Sequence, residues 1–183
     1  GIAKEAECIG IKAEDIEGLL NFAKKEKIDL AVVGPEVPLA LGIADEFKKY
    51  NINVFGPLKK CARLEASKIF AKEFMAKYNI PTAAFKIFDS ASLAKDFIKQ
   101  KGAPCVIKAD GLASGKGVVV AKTIEEAEIA IDWMLEEKAF GQASSRIIIE
   151  DCLEGEEASI LVITDSKVIV PLASSQDHKR IFD

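Results

Sequence analysis

Val106-Ile107-Lys108-Ala109-Asp110-Gly111-Leu112-Ala113-Ser114-Gly115-Lys116-Gly117-Val118-Val119-Val120 is the stretch on which the reading of this chain turns. An apolar run carries a lysine near its end, a loop of small residues follows, and a β-branched run leaves it, which reads as strand, loop, strand. The glycines let backbone N–H groups approach phosphate oxygens closely, and Lys116 adds positive charge at the tip. A Walker A loop needs four residues between its first glycine and Gly-Lys, then Ser or Thr. Here Leu112, Ala113 and Ser114 alone separate Gly111 from Gly115, Gly117 follows the lysine, and the exit is a strand, so no helix N-terminus faces the anion. The segment reads as a phosphate-covering hairpin; the competing reading is a flexible turn with surface lysines. Lys108 favours the first, because a charge inside an apolar strand is costly unless it meets an anion.

Downstream, Ile147-Ile148-Ile149-Glu150-Asp151-Cys152-Leu153-Glu154-Gly155-Glu156-Glu157-Ala158-Ser159 passes from an apolar strand through an acidic linker into another strand. Linker backbone groups could hold an adenine and a carboxylate could accept from ribose hydroxyls; taken alone, a solvated acidic turn is the better reading. Upstream, helical spacing of Ile16, Leu19, Leu20 and Ala23 precedes a strand over residues 29–33, read as buried and parallel and cut by Gly34-Pro35. A helix over Leu39–Tyr50 and a strand over 52–55 follow, the crossover pattern of an α/β fold. One long amphipathic helix is predicted over Leu58–Tyr78, with Leu64, Phe70, Phe74 and Met75 as core positions. Strands are then predicted at 84–88, 106–109, 118–121 and 146–150, with helices over 90–101 and 123–138. Residues 158–164 and 167–171 read as an antiparallel hairpin about Asp165-Ser166. The most plausible boundary lies near Gly56-Pro57.

The 183 residues are 49% hydrophobic and 30% charged, which suits a globular protein with a real core and excludes a disordered chain. A net charge of −4 makes duplex nucleic acid a poor partner. Cys8, Cys61, Cys105 and Cys152 form no CxxC pair and only one histidine is present, which argues against a zinc site and a disulfide framework. Three of the four cysteines are expected to be reduced core thiols. No signal peptide and no apolar run near the roughly 18 residues of a membrane helix are found, so a cytoplasmic protein without a membrane partner is expected. The chain starts without Met and ends at Asp183 without a polar tail, which reads as part of a longer protein.

The order of these features carries more than any one of them. Lys68 on a helix, Lys108 on a strand, the glycine-rich hairpin and the acidic linker follow the order of the ATP-grasp family, which the chain resembles. Within that family it is similar to the ligases that join glycine to 5-phosphoribosylamine. The resembling strings are Val32-Val33-Gly34-Pro35-Glu36 with Pro38-Leu39, Phe55-Gly56-Pro57, Glu65-Ala66-Ser67-Lys68, Lys108 to Gly117, Gly155-Glu156-Glu157-Ala158-Ser159 and Ser175-Gln176-Asp177-His178-Lys179-Arg180.

The resemblance implies an α/β, Rossmann-like piece with a parallel sheet over 1–60, the C-terminal part of a substrate-binding domain. An incomplete α+β ATP-grasp domain would follow over 61–183, with a mobile lid subdomain at 84–153 and the start of the central sheet at 154–183. It implies ATP as the nucleotide, with Lys68 and Lys108 on its phosphates and Gly111, Leu112, Ala113, Ser114, Gly115, Lys116 and Gly117 as the loop over them. Glu150 would meet the adenine amino group, Leu153 the ring through its backbone, and Glu157 or its neighbour Glu156 the ribose. Gly34, Pro35 and Glu36 with Asp177, His178, Lys179 and Arg180 would face phosphoribosylamine and glycyl phosphate. Lys179 and Arg180 are the catalytic candidates, since a fixed guanidinium suits phosphate. Acid–base catalysis by His178 is not required by that chemistry. The ligands for Mg²⁺ are expected outside this chain, so the 183 residues are expected not to catalyse ligation alone. Oligomeric state stays open. Another ATP-grasp carboxylate–amine ligase and a non-catalytic nucleotide-binding module remain as alternatives.

Overall fold

The predicted strand at residues 29–33 forms β1 (Leu30–Val32), which pairs in parallel with β2 (Asn53–Phe55) in the register Leu30 opposite Asn53. The computed structural model describes residues 1–112 and 116–176, apart from the Gln142 side chain. Before β1 runs α1 (Ile16–Lys25), whose N-cap Asp15 accepts a hydrogen bond from the Gly18 N–H. Leu20 and Ala23 of α1 pack with Ile43 and Phe47, and Ala31 and Val33 lean on this small core. β1 is not buried on both faces as predicted: Leu30 and Val32, on the opposite side of the pleat, are exposed. The helix predicted over Leu39–Tyr50 is two, α2 (Glu36–Leu41) and α3 (Ile43–Lys49). Gly42 between them sits at φ +104°, a left-handed conformation that ends α2 and that a side chain would strain.

The long helix predicted over Leu58–Tyr78 is also divided, into α4 (Lys59–Ala66) and α5 (Lys68–Lys77). Ser67 breaks it by taking an extended conformation and capping α5, its hydroxyl accepting from the Phe70 N–H. Ile69 and Lys72 become the buried side chains of α5, while Phe70, Phe74 and Met75 are only half-buried and Leu64 is exposed.

The next elements are β3 (Phe85–Phe88), α6 (Ala91–Lys101), β4 (Cys105–Ala109), β5 (Val118–Ala121), α7 (Ile124–Leu135) and β6 (Ile147–Asp151). The four strands form one antiparallel sheet in the order β3-β6-β4-β5. Strand alternation separates its faces. Phe88, Cys105, Ile107, Ala109, Ile147 and Ile149 pack with Ala94 and Ile98 of α6 and Ile131 and Met134 of α7 in the main core. The opposite face carries Phe85, Ile87, Val106, Lys108, Ile148 and Glu150, as the strand registers require.

A reciprocal cap closes the N-terminus of α7. Thr123 Oγ1 accepts from the Glu126 N–H, while Glu126 reaches back to the Lys122 N–H at 2.7 Å. Thr123→Ala is expected to cost about 1 kcal/mol of stability, read as a lower urea midpoint with an unchanged slope.

The chain divides into two units, Gly1–Cys152 and Leu153–Asp183. In the second, β7 (Ala158–Ser159) pairs antiparallel with β10 (Ser175–Gln176), and β8 (Val162–Thr164) pairs antiparallel with β9 (Ile169–Pro171). The predicted hairpin is therefore present, but the run 158–164 is two strands rather than one. Asp165 holds the turn by accepting from the Lys167 and Val168 N–H groups.

The cysteine expectation needs correction. Cys105 alone is buried, and burial pushes its thiol above the usual value; Cys152 is half-buried, and Cys8 and Cys61 are exposed. Cys61 lies in α4, whose one buried residue is Ala62, and Cys8 lies in an exposed segment before α1. No described helix is long and apolar enough to cross a membrane.

Candidate functional site

The polar face of the four-stranded sheet sets the site. On the β4–β6 ladder Val106 stands opposite Glu150 and Lys108 opposite Ile148, so Lys108 and Glu150 are diagonal neighbours on one face. Their side chains meet, Lys108 Nζ donating to Glu150 Oε2 at 3.0 Å. Lys72 of α5 approaches the same oxygen at 3.3 Å and donates to Thr82 Oγ1 at 2.6 Å and to the Ala83 carbonyl at 3.2 Å. Lys72 is 6% exposed and Glu150 4%, so this is a buried pair. The anion that makes a lysine tolerable in β4 is, in this structure, a protein carboxylate.

Glu150 Oε1 is different. It is buried and has no hydrogen-bond partner among the described residues. Leaving a buried acceptor unmet costs about 1–3 kcal/mol, so a donor from outside the described residues, a water included, would be stabilised there.

A second carboxylate, Asp110, ties the root of the glycine loop to α5. Its Oδ1 accepts from the Ser67 hydroxyl at 2.8 Å and the Ile69 N–H at 3.0 Å, and its Oδ2 from Arg146 at 3.1 Å. Lys68, first residue of α5, donates to the Gly111 carbonyl at 2.8 Å. Burial pushes the Lys68 ammonium below its usual value, with Asp110 and Glu65 pulling it back up and Lys108 adding to the depression. Gly111 is a glycine for space: a Cβ there would stand 2.7 Å from the Ala143 Cβ. Beyond it Leu112 is half-buried, Lys116 exposed and Gly117 buried, its carbonyl accepting from the Ala109 N–H.

The structure thus brings Lys108 to Glu150 and Lys68 to Gly111. Gly34, Pro35 and Glu36 lie at the exit of β1 and the start of α2, exposed, and among the described residues no hydrogen bond or ion pair joins them to this cluster. Leu153 and Glu157 belong to the second unit, both exposed, between β6 and β7. Ala113, Ser114 and Gly115, and Asp177, His178, Lys179 and Arg180, lie outside the described residues.

Lys72, Asp110, Ser67 and Arg146 escaped the sequence reading as site residues. For Lys72 a signal was present: it follows Lys68 by one helical turn, a spacing that puts both on one face once Ser67 is taken as a cap. Asp110 and Arg146 carried no comparable signal, because their contact depends on how the loop closes over α5.

With this geometry in view, the chain can be set against known proteins. It superimposes on the crystal structure of N5-carboxyaminoimidazole ribonucleotide synthetase from Thermus thermophilus at a TM-score of 0.69 and 20% identity, over 98% of this chain and 45% of that one. At that identity the likeness concerns the fold alone. Residues 66–183 match the profile described as phosphoribosylglycinamide synthetase, ATP-grasp (A) domain, so the class of protein is ATP-grasp. Residues 1–65 match the N domain of the same description. The chain belongs to the phosphoribosylglycinamide synthetase family. It is 52% identical to phosphoribosylamine–glycine ligase of Neisseria meningitidis over 183 residues, all of this chain and 43% of that protein. The crystal structure of phosphoribosylamine–glycine ligase from Thermotoga maritima matches at a TM-score of 0.70 and 30% identity, over 98% of this chain and 42% of that one. The chain spans about 43% of the length of the first curated relatives it matches.

Proposed function

We propose that this chain supplies the nucleotide-holding part of an ATP-dependent ligase that joins glycine to 5-phosphoribosylamine, giving glycinamide ribonucleotide, ADP and phosphate. The observation that carries the reading is Glu150: a buried carboxylate with two lysines on one oxygen and an unmet acceptor on the other. An adenine amino group supplies the donor it lacks, and Lys108 and Lys68 supply positive charge for the phosphates. Gly111 to Gly117 cover them, Leu153 offers its backbone to the ring and Glu157 accepts from the ribose. Gly34, Pro35 and Glu36, with Asp177, His178, Lys179 and Arg180, face the amine and glycine side.

ATP supplies a phosphoryl group to the glycine carboxylate, forming glycyl phosphate. The amine of phosphoribosylamine attacks the acyl carbon, phosphate leaves, and the amine gives up a proton. What the protein contributes is positioning and charge neutralisation. Among the described residues no group of three or more His, Cys, Asp or Glu side chains is arranged to hold a metal ion. They do not make a Mg²⁺ site. The domain division that goes with this reading is 1–60 for the substrate-binding piece and 61–183 for the ATP-grasp part, in a cytoplasmic enzyme of small-molecule partners.

The test is a chimera in which residues 1–183 replace the matching segment of the Neisseria meningitidis relative. Phosphate release that requires glycine, phosphoribosylamine and ATP together is the expected result. A folded chimera that binds ATP without substrate-dependent release would leave a nucleotide-binding module in place of the ligase.

A further inference from the structure

We infer that Lys72 is a positioning residue for nucleobase selection, holding Glu150 so that one carboxylate oxygen is reserved for an amino donor; the inference rests on the adenine reading above. The ammonium has three N–H groups. Two of them go to Thr82 Oγ1 and the Ala83 carbonyl, and the charge pairs with Glu150 Oε2 at 3.3 Å. The side chain is buried and its charge is already paired, so Lys72 is not itself a nucleotide ligand.

Its effect is directional. Lys72 and Lys108 both stand on Oε2, from α5 and from β4, while Oε1 receives nothing. Lys68, at the head of α5, adds positive charge nearby. Two cations from different elements pin Oε2 and with it the plane of the carboxylate. Paired in this way Glu150 presents acceptors only. A 6-amino purine satisfies Oε1; a 6-oxo purine would set oxygen against oxygen. With Lys72 gone, Lys108 alone holds Oε2, and its partly exposed side chain lets the carboxylate turn. Selectivity between the two bases then falls, whereas a merely structural lysine would weaken both nucleotides equally.

The chimera described above gives the measurement, as dissociation constants for ADP, IDP and inorganic tripolyphosphate. The parent is expected to favour ADP over IDP. Lys72→Met is expected to cut that ratio at least about tenfold, equivalent to about 1.4 kcal/mol, with tripolyphosphate binding changed less than about twofold. Thr82→Val removes one fixed acceptor of Lys72 at an exposed position, and about a threefold fall in the ratio is expected, which decides the matter even where Lys72→Met does not fold. A selective parent whose ADP/IDP ratio survives the substitutions overturns the inference and leaves the adenine reading intact. A parent that binds ADP and IDP equally overturns both.

Discussion

Glu150→Ala is expected to lower the free energy of unfolding by about 3–5 kcal/mol. The carboxylate is the shared partner of Lys72 and Lys108, and Lys72 is only 6% exposed. Removing the anion leaves an ammonium group in a buried site with two neutral acceptors, Thr82 Oγ1 and the Ala83 carbonyl, to stabilise it. Breaking one half of such a pair costs far more than removing both halves together, because the penalty is the uncompensated charge. The double variant Lys72→Met with Glu150→Leu is therefore expected to recover most of the loss. Urea unfolding of the parent, both single variants and the double variant measures the coupling directly. A Glu150→Ala variant within about 1 kcal/mol of the parent would show that the pair does not hold α5 to the sheet.

Lys108→Met is the second large effect, and it falls on binding rather than on folding. The Lys108 side chain is 28% exposed, against 8% for that of Lys72, so Met can take its place with little strain and Glu150 keeps its buried partner. What is lost is a charge-assisted contact to phosphate, about 1.5–3 kcal/mol. ATP affinity in the chimera is expected to fall about a hundredfold, with the urea midpoint nearly unchanged. Lys116→Met, at an exposed position on the loop, is expected to cost less than about tenfold. Calorimetric titration with ATP separates the two. Parental affinity in Lys108→Met would remove Lys108 from the phosphate site and leave it as a structural partner of Glu150.

Much of the secondary structure was legible because it follows local periodicity. Val106–Ala109 and Val118–Ala121 read as strands around a loop, and they pair antiparallel. Residues 29–33 and 52–55 with helical segments between them read as a parallel crossover, and β1 and β2 are parallel. The errors fell where a single residue overrides a periodic pattern. Gly42 at φ +104° and the extended Ser67 each cut one apparent helix into two. A serine hydroxyl competing for the backbone leaves no mark on the apolar spacing around it, so the break at Ser67 did not show in the periodicity.

Sequence alone determined that Lys108 must meet an anion, since its strand is apolar on both sides. It also placed Lys68, the glycine loop and the acidic linker in the order of the ATP-grasp family, to which the chain belongs. Which anion Lys108 meets follows from the folding of distant strands: it is Glu150, 42 residues further along, brought to it by the antiparallel register of β4 on β6. The addition of Lys72 to the same oxygen depended on the docking of α5 against β6. Periodicity reports which side of an element is apolar, because that is a property of neighbours in the chain. Which charges share a buried site is set by register and docking between distant elements, and the desolvation energy that makes those choices binding exists only once the face is covered.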